Sequence, residues 1–212
     1  MKYNKAFVVK PILVIVLLVT TAVLAIPFLT KPKTIPQELL AVLRPNPVDL
    51  QQFTFIDQDN KSFTLNNLKD KNSLLFFGYM SCPDICPTTL TTMNMMLNKL
   101  TTQSSTYPLP QVIFISVDPA RDNPDKIAEY MSYFNKSFIG LTGSKHEIDQ
   151  FTKQFGAGYM MDKSSSTENY LVNHTSSIFM VNSKLQLVAS FSPPHNADTL
   201  VSQYKLIVDL HK

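Results

Sequence analysis

Cysteine is scarce in this 212-residue chain: Cys82 and Cys86 are the only two. One pair cannot make a disulfide scaffold, and a domain of this size buries enough apolar surface to need none. Basic clusters with interleaved aromatics are missing, and the net charge is only +3, which argues against nucleic acid as a partner. No long run of one charge sign suggests a disordered interaction tail, and no internal repeat is present. What remains is a chain with 44% hydrophobic residues, enough for one well-buried domain and too short to promise two.

Charge is absent altogether from residues 11–30, which are dominated by Ile, Leu, Val and Ala. As a helix rising about 1.5 Å per residue, this stretch would span about 30 Å, the thickness of a bilayer's hydrocarbon core. Lys2, Lys5 and Lys10 precede it without an acidic residue, so the positive-inside rule keeps residues 1–10 cytoplasmic and exports the rest. A cleavable signal peptide is the rival reading, with small residues around Val23-Leu24-Ala25. Its apolar core would be longer than the usual run of about 7–15 residues. No cysteine directly follows the stretch to carry a lipid, which excludes a lipoprotein. The expectation is a single-pass anchor in a bacterial inner membrane, with the C-terminal domain in the periplasm, since no arginine-rich transit peptide is present.

Pro32, Pro36 and Pro45, with no glycine between residues 31 and 46, favour a stiff stalk over residues 31–47, with a helical turn at residues 35–43. A globular domain is expected over residues 48–212. Phe53–Ile56 and Ser62–Leu65 flank the turn signal Asp57-Gln58-Asp59-Asn60, a hairpin pattern. Ser73–Tyr79 and Val112–Val117 are continuous apolar runs, as in strands buried on both faces, and Phe138–Leu141 is a shorter strand. Leu90, Met93, Leu97 and Leu100 recur at helical spacing over Pro87–Thr101. Asn123-Pro124 opens a helix to Phe134, a capping box at Ser144 and Glu147 opens one to Phe155, and Asn196 caps one through Leu210. A polar loop at Ser164–Glu168 precedes strands Ser177–Val181 and Leu185–Ser190. Alternating strands and helices with hairpins at both ends predict a three-layer α/β domain with a mixed sheet.

Cys82 and Cys86 follow the first buried strand. Four residues apart on helical backbone, they lie one turn apart, with Cβ atoms about 5–6 Å from each other. Such a pair can close a disulfide or grip a metal ion. The loop it would close is too small to stabilise much, so the pair reads as chemical rather than structural. Asp118 and Arg121, in ISVDPARD, follow the second buried strand and reach the same rim of the sheet. A strand, cysteines and then a helix suggest thioredoxin-like chemistry, but three residues separate the cysteines where two are usual. The segment NHTSSIFMV also has no proline where such reductases carry a cis-proline, and it brings His174 toward the thiols. Two thiolates and an imidazole suit Cu(I); Cu(II) or zinc would accept them with a fourth ligand. Asp84 and Asp118 are weighed as supports of the site against plain roles at a helix start and a turn. Met80 is a further soft donor beside it, whereas Met93, Met96 and Met180 fall at core-facing positions. His146 and His195 read as solvated residues outside the site.

Four separated phrases, FFGYMSCPDICPTTL, FISVDPARDNP, FIGLTG and YLVNHTSSIFMVN, resemble the Sco/SenC family of copper-binding proteins that assist cytochrome c oxidase assembly. The resemblance covers about residues 48–210, and the N-terminal anchor agrees with it. It implies a thioredoxin-like domain, here with additional β-hairpins, that binds copper through Cys82, Cys86 and His174. It implies a role in maturing the CuA centre of oxidase subunit II, primarily as a non-enzymatic, monomeric metallochaperone working with another copper donor or a thiol reductant. A thiol-disulfide oxidoreductase acting through Cys82 and Cys86 on the CuA-site cysteines, or in extracytoplasmic redox homeostasis, is the alternative. A peroxidase is weaker still, because the matching phrases are not those of peroxiredoxins. Two positions depart from the family pattern: Met80 stands where threonine is usual, and Asn173 where an aspartate commonly precedes the histidine. Loss of that carboxylate would weaken support of the imidazole without removing a ligand.

Overall fold

The computed structural model describes residues 14–21, 34–103, 106–162 and 170–211. The chain divides into two units, Met1–Ile35 and Pro36–Lys212. In the first, residues 14–21 are helical. Among the described residues, no helix is long and apolar enough to cross a membrane. Residues 1–10, most of the expected span at 11–30, and the expected polar loop at Ser164–Glu168 lie outside the described residues.

The second unit is built around the strand β4 (Ser73–Gly78), whose six residues are all buried. An uninterrupted apolar run is stable as a strand only when both faces of the sheet are covered. On one side of β4 lie β5 (Gln111–Ser116) and then β6 (Ile139–Thr142), all parallel. On the other lie β9 (Ile178–Val181), β10 (Gln186–Phe191) and β1 (Leu43–Asp49), each antiparallel to its neighbour. Beyond β6, the hairpin of β2 (Thr54–Asp57) and β3 (Ser62–Thr64) completes an eight-stranded mixed sheet ordered β1-β10-β9-β4-β5-β6-β2-β3. A separate antiparallel ribbon pairs β7 (Tyr159–Met161) with β8 (Val172–His174).

Alternation along β4 sends successive side chains to opposite faces. Phe76 faces Phe114, which meets Tyr130 of helix α2 (Pro124–Phe134) with ring centroids 5.9 Å apart. Helix α1 (Ile85–Gln103) buries Leu90, Met93, Met96, Leu97 and Leu100, and helix α4 (Ala197–Leu210) packs on it. On the opposite face, Phe77 and Phe179 meet Phe151 and Phe155 of helix α3 (Lys145–Phe155). The domain therefore has the three layers expected, with Met93, Met96 and Met180 buried as space-filling core residues.

Helix boundaries follow their sequence signals. Asn123 Oδ1 accepts from Lys126 N at 3.0 Å with Pro124 in the first helical position. Ser144 Oγ accepts from Glu147 N at 3.2 Å, and Gly156, at φ 66°, ends α3 in the left-handed conformation that glycine adopts without strain. Asn196 Oδ1 accepts from both Asp198 N and Thr199 N.

One segment differs from expectation. Residues read as a stalk are incorporated from Pro36 onward: Leu39 is fully buried and β1 pairs with β10. Extended backbone does result from Pro45 and its neighbours, but it forms the sheet's edge instead of standing free. Prolines are tolerated there because an edge strand has one row of amides without ladder partners, and the register shifts between Leu43 and Val48.

Candidate metal centre

β4 ends at Gly78, whose carbonyl accepts from Val117 N at 2.8 Å, so the segments after β4 and β5 leave the sheet side by side. A turn follows in which Cys82 N donates to the Tyr79 carbonyl at 3.2 Å, and Cys86 lies in the first turn of α1. Gly78 is required by close packing: a Cβ at this position would lie 2.8 Å from both Cys86 Sγ and Phe114 Cε2. Gly78→Ala is expected to destabilise the fold by about 1–3 kcal/mol through overpacking. It should also speed labelling of Cys86 by a thiol reagent; an unchanged urea midpoint would show that the helix yields at no cost.

His174 closes the site from the end of β8. Its Nε2 is 3.4 Å from Cys86 Sγ, and one ligand atom from each of Cys82, Cys86 and His174 lies within 4.8 Å of the others. Both thiols are free and buried, Cys86 at 0% exposure and Cys82 at 8%. The imidazole is held edge-on between Phe76 and Tyr79, each with its ring centroid 5.9 Å away. His174 Nδ1 is 3.1 Å from the Thr175 carbonyl, which can only accept, so Nδ1 carries the proton and the Nε2 lone pair faces the thiols. This carbonyl supplies the support that the Asn173 substitution removed from the sequence reading.

Burial keeps Cys86 and His174 neutral. Burial pushes the Cys86 thiol well above its usual range, against a partial offset from its hydrogen bond with the Tyr79 backbone. Burial pushes His174 below its usual value, again partly offset by the bond to Thr175. At neutral pH the centre therefore presents a protonated Cys86 beside a neutral imidazole.

The other candidate residues separate clearly. Asp84 is exposed and borders a cleft of about 250 Å³ shared with Cys82 and His174, but its carboxylate accepts from Thr88 Oγ1 at 3.3 Å at the start of α1. Asp118 is fully buried and bonded to Arg121 and Tyr170. His146 is exposed as expected, whereas His195 is half-buried, its Nε2 3.0 Å from the Ser176 carbonyl. Sequence reasoning missed Asp122, the second acid of DPARD. Its buried carboxylate accepts from Ser116 Oγ at 2.7 Å and from Met80 N at 3.0 Å, which holds the turn leading to Cys82. Burial raises the Asp122 pKa against these two bonds. Spacing would not have revealed it, because its partners lie on two other segments.

Beside this geometry, the family model described as SCO1/SenC matches residues 44–209. The chain belongs to the SCO1/SenC family. It is 34% identical over 148 residues to the mitochondrial SCO1 homolog 1 of Arabidopsis thaliana, covering 70% of this chain and 43% of that protein. With a SCO2-like protein of Rickettsia prowazekii it shares 32% identity over 154 residues, 72% of this chain and 74% of the relative. Among solved structures, copper-bound ScoI of Arabidopsis thaliana superimposes with a TM-score of 0.70 at 32% identity, covering 75% of this chain and 98% of that one. Copper-bound yeast Sco1 gives 0.70 at 32%, covering 77% and 90%. The thioredoxin-like mixed α/β fold of the SCO1/SenC family is thus this domain's fold as well.

Proposed function

We propose that this protein binds one copper ion through Cys82 Sγ, Cys86 Sγ and His174 Nε2, and that it serves cytochrome c oxidase assembly as a metallochaperone. The observation that carries the reading is the convergence of these three ligand atoms within 4.8 Å, with His174 already held in the tautomer that frees Nε2. Two soft sulfurs and one imidazole match the ligand preference and low coordination number of Cu(I), whereas a structural zinc site takes four ligands. The copper-bound Sco proteins with similar structures support the same choice. The client in this reading is the CuA centre of oxidase subunit II. Residues 11–30 anchor the chain in the inner membrane, the domain works outside the cytoplasm, and another copper donor loads it.

Copper titration of the reduced protein, followed by X-ray absorption, tests the reading. It expects one copper with two sulfur ligands and one nitrogen ligand; a stoichiometry near zero or a sulfur-free shell would sink it. The electrostatics add a pH dependence. Thiolates are the ligands, and Cys86 is held protonated, so binding must release its proton. Apparent affinity should rise between pH 6 and pH 8, by about tenfold per unit for each proton released. His174 contributes little to this slope, because its lowered pKa leaves the ring neutral over most of that range. Competition titrations giving one affinity at both ends of the range would contradict it.

A second reading, reduction of the client's CuA-site disulfide, is supported by the closeness of two free thiols. In it Cys82, the more exposed sulfur, attacks the client disulfide and releases one client thiol. Cys86 then displaces the second, leaving a Cys82–Cys86 disulfide for an external thiol reductant to reduce. Failure of the reduced protein to reduce an oxidised CuA-derived peptide without copper would count against this reading.

A further inference from the structure

We propose that Arg121 and Tyr170 are positioning residues that, anchored on Asp118, latch the strand bearing His174 to the turn bearing the cysteines. The need for a latch comes from topology. β8 belongs to a two-stranded ribbon outside the main sheet. A ribbon of two strands is marginal by itself, whereas the cysteines are set by β4 and α1. Something must fix the distance between them.

Asp118 is fully buried, and a buried carboxylate is tolerated only when its oxygens are paired. Arg121 Nε donates to Oδ2 at 2.5 Å and Tyr170 Oη donates to Oδ1 at 2.5 Å. The same guanidinium lies over the Tyr170 ring, with Cζ 3.7 Å from its centroid, and 5.7 Å from the centroid of Tyr79. Tyr79 begins the turn to Cys82 and meets the His174 ring edge-on, while Tyr170 leads into β8. Arg121 therefore stands between one ring tied to the cysteine side and another tied to the histidine side. The contacts close a circuit from His174 through Tyr79, Arg121 and Tyr170 back along the chain to His174. Stacking of a guanidinium on aromatic faces requires its planar shape, which lysine lacks.

The affinity arm of the test rests on the copper reading above; a metal-free arm does not. Tyr170→Phe removes the hydroxyl bonded to Asp118 and keeps the ring under Arg121, and Arg121→Lys keeps the charge and removes the plane. Cu(I) affinity is measured by competition with a chelator for the reduced parent and both variants, each with and without His174→Ala. Residues that orient a ligand are worth about 10–100-fold in metal affinity, so a loss of about tenfold is expected when His174 is present. With His174→Ala the same changes should cost nothing further. Equal losses in both backgrounds, or no loss in either, overturn the latch. In the metal-free reduced protein, 15N NMR should show His174 as the Nδ1–H tautomer in the parent and as a mixture in the variants. If the parent takes up no copper, the functional reading fails and this spectrum decides the latch: unchanged tautomer populations in both variants reject it.

Discussion

Replacing His174 by alanine is expected to weaken copper binding by about two orders of magnitude while leaving the fold intact. Apparent binding free energies of structural metal sites, about 10–16 kcal/mol over four ligands, correspond to about 3 kcal/mol per ligand. That is a factor of roughly 150 in the dissociation constant. The side chain is half-buried at the end of a ribbon, and among the described residues it bonds to the Thr175 carbonyl and the Cys86 thiol, so its removal orphans no buried charge there. X-ray absorption of the variant should show two sulfurs and the loss of one nitrogen. Unchanged affinity in a chelator competition would remove His174 from the site.

Phe77→Ala should have the largest effect on stability, about 3–5 kcal/mol, the range for deleting a buried phenylalanine. Its ring, 1% exposed, meets Phe151, Phe155 and Phe179 at centroid distances of 6.1, 5.4 and 5.8 Å. It thus joins β4 to α3 on the face of the sheet turned away from Cys86. Urea unfolding reads the loss, and a change below about 1 kcal/mol would mean that α3 collapses to fill the space. Copper stoichiometry of the fraction that remains folded should be unchanged.

The two substitutions illustrate how unevenly the molecule can be read from its sequence. The helices at Pro124–Phe134, Lys145–Phe155 and Ala197–Leu210 begin at the capping residues expected of them, since a cap depends on bonds within three residues of the helix start. SLLFFG reads as a doubly covered strand because its hydrophobicity needs no partner to be identified. The edge strand Leu43–Asp49 was hidden, as its prolines describe extended backbone and say nothing about the β10 ladder that it joins. The ribbon carrying His174 was likewise hidden, its two strands being only three residues each.

At the site, the identities of Cys82, Cys86 and His174 were legible from the four family phrases, and the cysteine pair from spacing alone. Support of the imidazole was not. The departure at Asn173 predicts a poorly held ring, and the Thr175 carbonyl holds it instead, an acceptor that every residue type carries and that no sequence pattern marks. Asp122 and Tyr170 escaped for the same reason: each acts through a partner on another segment, Met80 for Asp122 and Asp118 for Tyr170.

The sequence by itself determined the buried strands and the helices, the helix caps, the placement of two thiols one turn apart at a strand end, and membership in a family. These are short-range properties, governed by periodicity, capping and covalent spacing. Only the tertiary structure decided that His174 Nε2 comes to 3.4 Å from Cys86 Sγ across 88 residues, that Asp118 is paired with Arg121 and hydrogen-bonded by Tyr170, and that β1 completes the sheet. Those distances follow from strand register and from packing on both faces of the sheet, which exist only once the whole domain has closed.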